Sequence, residues 1–93
     1  MELLPDHVSM EEAYNKVVLD NPKYNKINLM VPYKKRERIF TEACHIGSLF
    51  PFNNNEHLLR NIAAMYDRLL NLFLDLHPEV KIQVNNLDSL PRT

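Results

Sequence analysis

Ninety-three residues suffice for one domain with a single small core, and an apolar share of 45% beside 25% charged residues lies well away from the disordered and membrane classes. The net charge of −1 is too close to zero for a chain that holds nucleic acid by bulk electrostatics. The charge is uneven, however: residues 1–22 sum to −4, residues 23–38 to +5 and residues 39–93 to −2. Any nucleic-acid role must therefore rest on the middle segment.

The sequence contains no apolar run long enough to span a bilayer, because Arg60, Asp67, Arg68 and Asp75 interrupt the most apolar stretch. Glu2, Asp6, Glu11, Glu12 and Asp20 near the start argue against a basic signal or transit peptide. Cys44 is the single cysteine, so no internal disulfide can form, and a lone thiol fits a reducing compartment. The expectation is a soluble intracellular protein, cytoplasmic or nuclear, that does not engage membranes.

Taken in chain order, the first helix is expected at about residues 10–20. Ser9-Met10-Glu11-Glu12 is a capping box, in which the Ser9 hydroxyl and the Glu12 carboxylate satisfy each other's backbone amides. Val8 before the cap and Ala13 after it suit a hydrophobic staple. Met10, Ala13, Tyr14, Val17 and Val18 then form one apolar stripe, and Pro22 ends the helix. Residues 21–25 read as a loop. Residues 27–31 read as a short strand, although Met30 spoils the alternation.

Pro32 fits the first turn of a second helix over about 33–47. Its apolar arc holds Ile39, Phe40, Ala43, Cys44, Ile46, Gly47 and Phe50. Gly47, the single glycine, either ends this helix in the left-handed conformation or admits another helix at close range; the nearby Phe50-Pro51 favours the first reading. The two aromatics of Phe50-Pro51-Phe52 either plug the core or anchor a partner, and the general burial of large aromatics favours the plug.

The third helix, expected over 54–77 with Asn53 or Asn54 as its cap, is the most informative element. Leu58, Leu59, Ile62, Ala63, Met65, Tyr66, Leu69, Leu70, Leu72, Phe73, Leu74 and Leu76 cover roughly 200° of its circumference at 100° per residue. In heptad terms Leu59, Ile62, Tyr66, Leu69, Phe73 and Leu76 form the a/d seam. Leu58, Met65 and Leu72 at g, with Ala63 and Leu70 at e, favour a bundle over a simple two-stranded coil. Beyond Pro78, Val80, Ile82 and Val84 alternate with polar residues, a strand signal that pairs with 27–31. Residues 85–93 read as a flexible tail.

The expected fold is thus a mainly α single domain, residues 1–93: three helices with a long central third helix, a short strand pair of 27–31 with 80–84, and assembly as a dimeric bundle. The first two helices cover most of the third, and the surplus at Met65, Leu69, Leu72, Phe73 and Leu76, with Leu58 on the same face, marks a partner interface. The expected function is protein interaction or oligomerisation, as a homodimer or with another helical protein.

The alternative is a nucleic-acid-binding regulatory protein. Lys34, Lys35, Arg36 and Arg38 would set cations against phosphates, or against an acidic partner, from the first turns of the second helix. Cations there oppose the helix dipole and are not what stability alone would select. Arg36 also falls toward the apolar arc, where it would cover Phe40 or pair with an acid of the first helix.

Enzymatic activity is not expected. Cys44 and His45 are adjacent and point about 100° apart on a helix, and the four histidines, His7, His45, His57 and His77, have no metal-ligand spacing. The sequence thus gives no catalytic residues, cofactor or metal.

Overall fold

The computed structural model describes residues 9–89, and these are helical apart from short connections. Helix α1 spans Met10–Tyr14 and runs directly into a π-helical stretch, Asn15–Leu19. A 3-10 turn at Pro22–Tyr24 leads into α2, Asn25–Met30. Helices α3 (Tyr33–Gly47), α4 (Asn55–Leu76) and α5 (Pro78–Ser89) complete the described chain.

Local chemistry sets the helix starts. Ser9 is extended at φ −84°, ψ 160°, and its Oγ accepts from the Glu12 amide at 3.1 Å, which satisfies one of the donors every helix start leaves open. Asn54 does the same for α4, its Oδ1 accepting from the His57 amide at 2.8 Å. The His57 ring then accepts from the Asn53 amide at 3.2 Å. Val8, the outer half of the expected staple, and His7 lie outside the described residues.

The first helix departs from the expected single α stretch because its ladder widens. The Asp20 amide donates to the Asn15 carbonyl at 2.8 Å, a bond five residues long that defines a π turn. Ala13, Tyr14, Val17 and Val18 all remain buried across this change.

Antiparallel packing of α3 on α4 is the main tertiary contact. Phe40, Ala43, Cys44 and Gly47 of α3 are buried, as are Leu58, Ile62, Tyr66, Leu70 and Leu74 of α4. At Gly47 a Cβ would stand 3.0 Å from the Cα and N of Ile62. The glycine is therefore needed for close helix approach, and the favoured reading of it as a left-handed helix end is corrected: Gly47 is the last helical residue, and Ser48 beyond it stays right-handed.

Edge-to-face rings run from the exposed Tyr33 into the interior. Tyr33 meets Tyr14 at 5.9 Å, Tyr14 meets Phe40 at 5.3 Å, Phe40 meets Tyr66 at 6.0 Å and Tyr66 meets Tyr24 at 5.2 Å. Each such pair contributes roughly 0.5–1.5 kcal/mol beyond its buried area. The run ties α3, α1, α4 and the 3-10 turn into one core. Tyr24 is further held by Asp67, which accepts its hydroxyl proton at 2.9 Å and pairs with Lys23 at 2.8 Å.

The expected strand pair is not formed, and three helices is too few. Residues 27–30 belong to α2 and residues 80–84 to α5, and no strand occurs among the described residues. Over residues 78–87 of α5, Val80, Val84 and Leu87 are the partly buried positions while Ile82 is 57% exposed. That is helical spacing, and it overrides the period-two reading of the same stretch. Pro78 in the first turn, with Glu79 beside it, is also a favourable helix start. Helix α5 packs on α2 and on the end of α4, so the part of the expected tail at residues 85–89 is helical; residues 90–93 lie outside the described residues. Among the described residues no helix is long and apolar enough to cross a membrane.

Candidate functional site: an apolar groove between α3 and α4

The expected interface residues of α4 separate into three environments. Leu58 is 1% exposed and belongs to the core, so it has no place on a docking surface. Met65 and Leu69 are half-buried against the core, and Phe73 is also half-buried. Leu72 and Leu76 are 54% and 70% exposed.

The reason lies in α3. Its C-terminal half offers Phe40, Ala43, Cys44 and Gly47 to α4. On the neighbouring stripe of the same helix, the side chains that line the groove against the far end of α4 are Lys35, Arg38 and Glu42, with Ile39 the apolar member. Charged side chains cannot close over leucines without losing their own hydration. A groove of about 540 Å³ is left between the helices, floored by Ile39, Leu69, Leu72, Phe73 and Leu76.

The rim of this groove is electrically balanced. Lys35 and Arg38 stand among Glu37 and Glu42. Lys35 Nζ sits 5.5 Å from the Phe73 ring centroid, and the His77 ring lies 4.5 Å from the same ring at 35°. Next to the floor, Asp75 accepts from Lys81 at 3.2 Å.

The structure divides the basic run. Arg36 turns inward: its Nη1 donates to the Tyr14 hydroxyl at 2.8 Å and its Nε to the Val31 carbonyl at 3.0 Å. Its guanidinium carbon lies 5.7 Å from the Tyr33 ring centroid. It thus reaches helix α1 as expected, through a tyrosine and not an acid. Lys34 and Arg38 are exposed, and Lys35 leans on Phe73.

Other chemistry-bearing groups are built into the scaffold. Cys44 is fully buried, and burial pushes its thiol up to about 12, far from the range of a reactive thiolate. Burial, and then the hydrogen bond to Asp67, raises the Tyr24 hydroxyl well above its ordinary range. The hydrogen bond from Lys23 holds the Asp67 carboxyl below its ordinary 3.8. Among the described residues no three His, Cys, Asp or Glu side chains stand close enough together to hold a metal. Of the Phe50-Pro51-Phe52 pair, Phe52 packs on the core while Phe50 is 49% exposed, so one ring plugs and the other does not.

Sequence reasoning missed Ile39 and Glu42 as groove residues. Their signal was present in α3, where Lys35, Arg38, Ile39 and Glu42 recur at helical spacing next to the buried stripe. In comparison with known proteins, no family model matches this chain, and neither does any curated protein or solved structure.

Proposed function

We propose that this protein is an association module that docks an apolar helix in the groove between α3 and α4. The supporting observation is the exposure of Leu72 and Leu76 beside Leu69 and Phe73 on the floor of a single groove. Leu29, Leu49 and Ile82 are also exposed, but scattered apolar residues are normal on a protein surface, whereas a contiguous apolar groove with a polar rim is what a partner covers. An amphipathic helix fits because α4 already presents its leucines at helical spacing, ready to interdigitate with a second ridge.

The nucleic-acid reading, through Lys34, Lys35, Arg36 and Arg38, has less support. Arg36 is engaged internally and Glu37 interrupts the run, so phosphate contacts would rest on Lys34, Lys35 and Arg38. Retention on nucleic acid at low salt that is lost when these residues become alanine would favour it over the groove.

Site-specific photo-crosslinking tests the groove directly. A benzophenone side chain at Leu72, in cells expressing the protein, is expected to give a discrete adduct. The same group at Arg60, on the exposed back of α4, is expected to give none. No adduct at Leu72, or equal adducts at both positions, overturns the proposal.

A further inference from the structure

We propose that the occupant of the groove is a second copy of this chain, with the two α4 helices packed antiparallel about a two-fold axis near Leu72. The inference rests on the docking reading above and adds the identity and register of the partner. It begins from charge. The groove rim carries Lys35 and Arg38 with Glu37 and Glu42, and the whole chain is at −1. Such a rim selects neither a strongly acidic nor a strongly basic partner, and a near-neutral surface suits a copy of itself.

The flank of α4 supplies the register. At 100° per residue, Met65, Leu69, Leu72 and Leu76 share one stripe, with α3 on one side and Arg68 and Asp75 on the other. Arg68 is exposed and makes no ion pair or hydrogen bond among the described residues. Asp75 is exposed and, among the described residues, holds only the surface contact with Lys81. The two are seven residues apart, about two turns, so they bracket Leu72 on the same edge.

A two-fold axis perpendicular to two antiparallel helices puts these flanks on the same side of the pair. Arg68 of each copy then meets Asp75 of the other, while Leu69 meets Leu76 and the two Leu72 side chains meet at the axis. An isologous contact demands such self-complementarity: residue i meets j, and j meets i. Parallel pairing about an axis along the helices would put the two flanks on opposite sides of the pair, so Arg68 of one copy would not meet Asp75 of the other. Each Leu72 and Leu76 thereby serves both as groove floor and as the ridge that fills the other groove.

Charge reversal tests the inference with the full chain. Sedimentation across a concentration series is expected to show wild-type dimers, and Arg68→Asp or Asp75→Arg alone to weaken dimerisation about tenfold, since each sets like charges together twice. An equimolar mixture of the two single variants restores both pairs in a heterodimer, and the double variant restores them in a homodimer. Circular dichroism melts at dilutions where wild type is monomeric, expected to be unchanged at these exposed positions, show that the variants fold. A wild-type monomer at high micromolar concentration overturns the inference, as does a dimer indifferent to either reversal or a mixture that does not recover. Failure of the dimer with a Leu72 adduct to a different protein removes the self-pairing alone; absence of any Leu72 adduct removes the docking reading as well.

Discussion

The two ends of α4 carry the same kind of surface and meet opposite fates. Leu58 and Leu76 stand eighteen residues apart, about five full turns, so they point in the same direction from the helix axis. Leu58 is 1% exposed and Leu76 70% exposed. The helix does not distinguish them; the neighbour does. Along the covered half, α3 offers small and apolar side chains and comes close enough at Gly47 to touch the Ile62 backbone. Beside Leu72 and Leu76 it offers Lys35, Arg38 and Glu42. The buried stripe drifts around α4, from Leu58 through Ile62 and Tyr66 to Leu70 and Leu74, so at the far end Leu72 and Leu76 lie beside the core and not in it.

The largest effect expected from breaking this contrast is at Leu58. Leu58→Ala is expected to cost about 3 kcal/mol, measured by denaturant unfolding, because it leaves a cavity in a closed core. Leu76→Ala, on the same face, is expected to change monomer stability by less than about 0.5 kcal/mol. Equal costs at the two positions would remove the distinction. Next comes Gly47→Ala, expected to destabilise by about 2 kcal/mol, since the new methyl meets backbone and cannot be relieved by a rotamer change.

Asp67→Asn is expected to cost about 1 kcal/mol, by weakening the Lys23 pair and the Tyr24 hydrogen bond that join the 3-10 turn to α4. The folded carboxyl titrates below its ordinary 3.8, so its contribution is full above that value and is lost as pH falls through the folded value. The variant should therefore unfold less steeply than wild type in the acid limb. Smaller still is Tyr66→Phe, expected to be neutral or to stabilise by up to about 1 kcal/mol, because the Tyr66 hydroxyl is buried with no hydrogen-bond partner among the described residues. Cys44 should resist alkylation at neutral pH until the protein is unfolded, as a thiol pushed up to about 12 inside the core requires.

The sequence made α3 and α4 legible because each combines a start signal with a long helical stripe. Asn54 and Pro32 mark the starts, and the stripes extend over several turns. Helices α2 and α5 were hidden by brevity. Over a few residues Val80, Ile82 and Val84 alternate, and only continuation to Leu87 reveals the helical spacing. A strand at 80–84 also required a partner strand, and the chain supplies none among its described residues. The apolar excess of α4 was visible from its helical spacing, but its division into a buried and an open stripe depends on which residues α3 sets against it. That becomes legible only when the two helices are aligned antiparallel through Gly47 and Ile62. Arg36 shows the converse: a basic run in the sequence holds one member that the fold uses internally.

Sedimentation of wild type beside a Leu72→Glu, Leu76→Glu double variant tests the central claim most directly. The account predicts that wild type dimerises with rising concentration, while the double variant stays monomeric and, as a dilute monomer, melts at or above the wild-type temperature. A wild type that remains monomeric throughout, or a double variant that loses its fold, would contradict it.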